Sequence, residues 1–261
     1  VFKPRELTRR LGGETVCRLM KAFSTLFRLG VACVLLGLAL PLAKAAEVER
    51  PNFIIIFCDD LGYADIGPFG SENHRTPNLD RMAAEGRRFT SFYVTSGVCP
   101  PSRPSLMTGC YPKRVGLHQN EKGQGVLFPG NQRGLNPSEI TIAEVLKARG
   151  YATGIVGKWH LGDDLESQHG FHEWVSSEDD HRPEYTRREY LRRMSDYHRY
   201  LVDQGYEPET EVAGEKIFVA FQRAELPEEH QMAAFLGRGA AEFIGRNKDR
   251  PFVLYVSTFE P

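Results

Sequence analysis

The run Asn52-Phe53-Ile54-Ile55-Ile56-Phe57-Cys58 most constrains what this chain can fold into. It is too short for a stable helix, rich in β-branched residues and continuously apolar after Asn52. That pattern predicts a strand buried on both faces, as in a parallel sheet. The run ends in Asp59-Asp60-Leu61-Gly62, which places two acids at the carboxyl end of a central strand, where open α/β sheets form their ligand crevices. Adjacent carboxylates repel and raise each other's pKa. A hard cation such as Ca²⁺ or Mg²⁺ relieves that conflict. A turn or a helix cap is the competing reading of the Asp-Asp pair taken alone.

Two more apolar runs, 151–156 and 252–256, read as strands, each preceded by a helical pattern. The first helix, 141–149, puts Ile142, Val145 and Leu146 on one face and stops at Gly150. The other, 230–247, carries Met232, Phe235, Leu236, Phe243 and Ile244. A shorter amphipathic helix spans 76–87, with Thr76 as N-cap, Pro77 at the first helical position and Gly86 as the stop. The alternation is that of an α/β fold. An apolar stretch at 89–94 then delivers the chain to Cys99.

Cys99 opens the string Cys99-Pro100-Pro101-Ser102-Arg103-Pro104-Ser105-Leu106-Met107-Thr108-Gly109. The two prolines hold an extended backbone without N–H groups, and Ser102 is expected to cap a short helix reaching Thr108. Cys99 then sits just ahead of a helix N-terminus, where free N–H groups and the helix dipole favour an anion. Arg103 adds a fixed cation. The residues alone allow a low-pKa thiol or an inert buried one.

The strand at 151–156 leads into Gly157-Lys158-Trp159-His160-Leu161-Gly162, with His169-Gly170-Phe171 beyond it. Lys158 and His160, two apart, are expected on the same side. The segment 111–137 reads as a long loop in which His118 either lines a pocket or is solvated. The strongly charged stretch 176–229 contains one expected helix at 183–204 and reads as a solvated face with no catalytic residue.

Taken together, Cys99-x-Pro101-Ser102-Arg103 with Leu106-x-Thr108-Gly109, Asp59-Asp60-Leu61-Gly62-Tyr63, the 76–86 segment and Gly157-Lys158-Trp159-His160-Leu161-Gly162 resemble the sulfatase family. The resemblance covers residues 50–261. It implies a three-layer α/β/α sandwich with a mostly parallel central sheet, alkaline-phosphatase-like and truncated at the C-terminus. Residues 46–261 would be the N-terminal part of the catalytic domain, because the family's later Pro-His, its further metal-ligating Asp and its second sulfate-binding Lys have no counterpart before Pro261.

By the same resemblance, a maturation enzyme reads Cys99, Pro101 and Arg103 and oxidises Cys99 to formylglycine. Asp59, Asp60 and residue 99 would hold Ca²⁺ or Mg²⁺. Lys158 would contact both the sulfate and the aldehyde hydrate, Arg103 and Lys158 would stabilise the added negative charge, and His160 would transfer a proton at the hydrate. One hydroxyl of the hydrate attacks sulfur and displaces the alcohol; loss of the second hydroxyl's proton then expels sulfate. The implied activity is hydrolysis of a sulfate ester, of a small molecule or a glycan. The alternatives are a catalytically incompetent fragment and a related phosphodiesterase or phosphonate monoester hydrolase.

Charge and leader sequence bound the compartment. Residues 1–45 carry eight Lys or Arg and two acids, which leaves 25 basic and 32 acidic groups beyond, a net charge near −7. That balance argues against a nucleic-acid surface. From Met20, a charged segment, a 14-residue apolar run at 29–42 and Ala43-Lys44-Ala45 describe a signal peptide at 20–45, with 1–19 an over-extended start. The run is short of the roughly 20 apolar residues of a spanning helix, so no stable membrane insertion is expected. The protein is expected to be secreted or periplasmic. Cys58, Cys99 and Cys110 remain in the mature part; a Cys58–Cys110 pair is open, with Cys58 more simply a buried small hydrophobe.

Overall fold

The computed structural model describes residues 18, 20–24, 50–119, 133–178, 193–212 and 214–260. The chain divides into two units, Val1–Glu49 and Arg50–Pro261. In the first, the described residues are helical and exposed. The expectations for 1–19 and 20–45 lie almost wholly outside the described residues. No helix among the described residues is long and apolar enough to cross a membrane.

In chain order the second unit contains β1 (Phe53–Phe57), α1 (Pro77–Glu85), α2 (Cys99–Thr108), α3 (Ile142–Lys147), β2 (Ala152–Gly157) and β3 (Glu173–Val175). There follow α4 (Asp196–Asp203), β4 (Thr210–Val212), β5 (Glu215–Ile217), α5 (Ala220–Ala224), α6 (Met232–Asn247) and β6 (Phe252–Ser257). Four strands form a parallel sheet in the order β1-β6-β2-β3, and β4 and β5 form a separate antiparallel pair. Register brings Phe57, Ser257 and Gly157 side by side at the carboxyl ends of β1, β6 and β2. The residues that follow those three ends therefore converge.

Alternation along the strands builds two cores, one on each face of the sheet. Ile155 and Tyr255 pack with Met107, Ala143, Trp159 and Phe171. Val156, Leu254 and Val256 pack on the opposite face with Tyr197, Leu201, Leu236 and Phe243. Helices α2 and α3 thus cover one side while α4 and α6 cover the other, the expected three layers. Deleting a buried side chain such as Leu236 or Phe243 would cost about 2–5 kcal/mol.

The structure departs from the sequence reading at β1. Ile55 and Phe57 point into the first core, but Ile54 and Ile56 are 49% and 55% exposed. Among the described residues β1 has a neighbour on one side only, and α6 lies over β2 and β6. The strand is therefore half-buried instead of buried on both faces. Cys58 falls just past it and is half-buried; Cys58, Cys99 and Cys110 are free thiols.

The charged 176–229 stretch also holds more core than its composition implies. Tyr197, His198 and Leu201 are buried on one face of α4, and Ile217, at the end of β5, and Phe218 just after it are buried too. On α4, Arg199 and Asp203 face outward while Tyr197 and Leu201 face inward. The described part of the helix expected at 183–204 is α4, capped by Ser195, whose hydroxyl accepts from the His198 N–H. The portion 183–192 lies outside the described residues.

Candidate active site

Helix α2 begins four residues earlier than a Ser102 cap would place it. Val98 is the N-cap in an extended conformation, Cys99 is the first helical residue, and the Ser102 N–H makes the first helical bond to the Val98 carbonyl at 3.1 Å. Pro100 and Pro101 stand where N–H groups have no intrahelical partner in any case, so they start the helix at no hydrogen-bonding cost. Ser102 is thereby inside the helix and does not cap it. Gly109 ends it at φ +69°, with its N–H on the Ser105 carbonyl.

At the end of β2 the chain must turn close against β6. Gly157 has φ +107°, and a Cβ there would lie 2.0 Å from the Ser257 carbonyl oxygen, so only glycine fits. The next residue, Lys158, donates its N–H to that same carbonyl at 2.9 Å. This pins the lysine at the sheet edge opposite Asp59.

Arg103 is fully buried at the centre. Its Nη1 donates to the Lys158 carbonyl at 3.0 Å, Tyr255 Oη at 3.1 Å and Ser257 Oγ at 2.7 Å, while Nη2 donates to Asp59 Oδ1 at 3.3 Å. The guanidinium also lies over the Phe57 ring at 5.1 Å. Lys158 Nζ donates to Asp59 Oδ2 at 2.7 Å, stands 3.9 Å from Glu178 Oε1, and lies 4.3 Å from the Phe259 ring centroid. One buried carboxylate is thus bracketed by two buried cations. Burial by itself would raise the Asp59 pKa, but Lys158 and then Arg103 outweigh it and hold the carboxyl below its ordinary value. Burial likewise disfavours the Lys158 ammonium, yet Glu178 and Asp59 raise its pKa above the usual lysine value.

Cys99 lies within the field of all four groups, Lys158, Asp59, Arg103 and Glu178. Burial is the largest effect on its thiol and pushes its pKa up; Lys158 and Arg103 oppose this without reversing it. A helix N-terminus and an arginine had allowed an activated thiolate. Instead, desolvation leaves the encoded thiol protonated and a poor nucleophile.

The remaining expected residues are placed differently. Asp60 is exposed with φ +57° and joins the cluster through no hydrogen bond or ion pair among the described residues. His160 is buried at φ +59°, and its backbone N–H is donated to Asp164 Oδ1. Asp164 itself is buried, and burial first, then the charge of Glu178, pushes its carboxyl well above the usual range. His118 is exposed after Leu117, and among the described residues no hydrogen bond or ion pair joins it to the cluster.

For a divalent cation the donor chemistry fits in kind. Asp59 offers hard oxygens already held by positive charge, and Asp60 stands next to it with an open side chain. Among the described residues there is no group of three or more His, Cys, Asp or Glu side chains suited to a metal, so the rest of the shell would come from residue 99 and water.

Sequence reasoning missed Glu178, Asp164, Tyr255, Ser257 and Phe259. Tyr255 and Ser257 had a readable signal, because two hydroxyls two apart in an apolar strand fall on one face and need a polar partner there. Glu178 had none, standing among many acids.

The Sulfatase family model matches residues 51–261. The chain belongs to the sulfatase family. Arylsulfatase A of Bos taurus is 49% identical over 138 residues, covering 51% of this chain and 26% of that protein. N-acetylgalactosamine-6-sulfatase of Rattus norvegicus is 41% identical over 167 residues, 62% of this chain and 32% of that protein. The matches to these curated relatives thus span about a quarter to a third of their length. Among solved structures, the sulfatase chain resembles Ps i-CgsB in complex with k-i-k-neocarrahexaose, with TM-score 0.55 and 29% identity over 81% of this chain and 45% of that one. The fold is the alkaline-phosphatase-like arrangement expected of a sulfatase, with helices on both sides of a parallel sheet and no closed barrel.

Proposed function

We propose that this sulfatase-family protein hydrolyses a sulfate ester, with residue 99 as the nucleophilic position. The observation that carries the reading is Cys99 at the start of α2, within the electrostatic reach of a buried Asp59 bracketed by Arg103 and Lys158. Converting Cys99 to formylglycine would supply an aldehyde hydrate with two hydroxyls, one to attack sulfur and one whose proton is lost as sulfate leaves. Ca²⁺ or Mg²⁺ on Asp59 and Asp60 would supply charge that polarises the sulfate oxygens.

The chain's own groups do the rest. Lys158, kept charged by Asp59 and Glu178, binds a sulfate oxygen. Arg103 is immobilised by four hydrogen bonds, so it fixes Asp59 and Lys158 in place and contributes a permanent positive charge. His160, locked through its backbone to Asp164, is the group for moving the proton of the residue-99 hydroxyl. The net reaction takes an organic sulfate and water to an alcohol and hydrogen sulfate.

Because relatives include an N-acetylgalactosamine-6-sulfatase and a structure holding a carbohydrate, a sulfated sugar is the substrate class we favour. A formylglycine-generating enzyme is the maturation partner, and the signal-peptide pattern at 20–45 supports a secreted or periplasmic location. The test is turnover of an aryl sulfate against an aryl phosphodiester by co-matured protein, with and without chelator. The reading predicts a preference for the sulfate and its loss in chelator. Faster phosphodiester turnover, or chelator-independent sulfate release, would overturn it.

A further inference from the structure

Each Asp59 oxygen carries a cation in this structure, Lys158 on Oδ2 and Arg103 on Oδ1. Arg103 is fixed by three other acceptors and cannot leave. Lys158 is different: its ammonium rests on a long side chain between two carboxylates, Asp59 at 2.7 Å and Glu178 at 3.9 Å. When a divalent cation takes Asp59, repulsion displaces the ammonium from Oδ2. A lysine that is 3% exposed then needs another anion within reach.

Glu178 meets that need. It is 7% exposed, its Oε1 is the second carboxylate oxygen near Lys158, and its Oε2 has no hydrogen-bond partner among the described residues. Glu178 also acts electrostatically on Cys99, so it belongs to the same site. Its charge would otherwise disfavour a sulfate, which makes a counter-ion role for the lysine the economical explanation of its burial there.

We infer that Glu178 is a positioning residue that receives the Lys158 ammonium when Asp59 takes a divalent cation, holding Nζ beside the sulfate and leaving Asp59 free to ligate. The inference rests on the proposed cation site at Asp59. It couples cation binding to the placement of the substrate-binding lysine.

The experiment measures Ca²⁺ affinity by calorimetry on the full chain, without substrate, for wild type, Glu178→Gln, Glu178→Asp, Lys158→Met and the Glu178→Gln/Lys158→Met double variant. Without the Glu178 charge the ammonium stays on Asp59, so Glu178→Gln should weaken Ca²⁺ by about tenfold, in the range of outer-shell metal-site changes. Glu178→Asp should recover most of the loss. In the Lys158→Met background, Glu178→Gln should have little further effect, because there is no ammonium to move. In matured enzyme, Glu178→Gln should raise KM for an aryl sulfate more than it lowers kcat.

Wild-type Ca²⁺ affinity in Glu178→Gln and Glu178→Asp would overturn the inference while leaving the cation site intact. A loss that persists undiminished without Lys158 would overturn it too, since Glu178 would then be a ligand itself. Absence of Ca²⁺ binding to wild type, or binding unchanged by Asp59→Asn, would remove the cation reading together with this one.

Discussion

Replacing Asp59 by asparagine isolates the charge at the heart of the site, because the side chain keeps its size and one acceptor. Two cations, Arg103 and Lys158, would stay buried, with Glu178 Oε1 3.9 Å from the Lys158 ammonium. Breaking a buried ion pair by removing one partner costs about 3–5 kcal/mol. The amide oxygen still accepts one hydrogen bond, which places the expected loss near the lower end, about 3 kcal/mol. For a domain of this size that corresponds to a Tm lower by about 6–12 °C.

The acid limb supplies a second readout for the same substitution. Asp59 is held below its ordinary pKa, so its contribution is fully present above the unfolded value of about 4 and disappears as pH falls through the lower folded value. Wild type should lose this stability on acidification and Asp59→Asn should not. Urea unfolding of both proteins, free of divalent cations, at pH 7 and at pH 3 measures the two effects together. A difference at pH 7 below about 1 kcal/mol, the usual worth of an exposed ion pair, would refute the account of a desolvated triad.

The other predictions follow from single contacts. Gly157→Ala should destabilise by at least about 2 kcal/mol, since it adds a Cβ 2.0 Å from the Ser257 carbonyl at φ +107°; chemical denaturation checks this, and a neutral result contradicts the tight turn. Asp164→Asn should be more stable than wild type at pH 8 relative to pH 4. The raised Asp164 pKa gives stability that is present below the unfolded value and lost as pH rises through the folded one; equal pH profiles would contradict it. In unconverted protein, alkylation of Cys99 by iodoacetamide should be slower at pH 7 than that of a free cysteine peptide. A fast reaction at pH 7 would mean that burial does not dominate the thiol.

Much of this arrangement was legible before any coordinates. The strands at 53–57, 152–157 and 252–257 announced themselves because apolar β-branched runs between turn residues have few other solutions. The helices 77–85 and 142–147 were marked by Thr76, Pro77, Gly86 and Gly150, whose effects are local. Strand order was not legible: β6, last in sequence, lies between β1 and β2, and only pairing across about 200 residues decides that. The same long-range pairing brings Ser257 and Tyr255 onto Arg103, and sets how much of β1 is covered.

For the site, residue types were readable and their electrostatic roles were not. Arg103 and Lys158 could be assigned to a sulfate from the motif, but nothing local says that both would close on Asp59. The position of Cys99 at a helix start left an acidic thiol and an inert buried one both open, and the upward shift arises from burial, which depends on the packed surroundings. Glu178 belonged to a stretch read as solvated, because charge in a sequence does not reveal which acid turns inward.

Conversion of the side chain at position 99 to an aldehyde is the point on which the account stands. Mass analysis of the tryptic peptide 89–113, from protein expressed with a formylglycine-generating enzyme, should show CH₂SH replaced by CHO, with sulfate release from an aryl sulfate proportional to the converted fraction. An intact thiol accompanied by sulfate release at the full rate would contradict it.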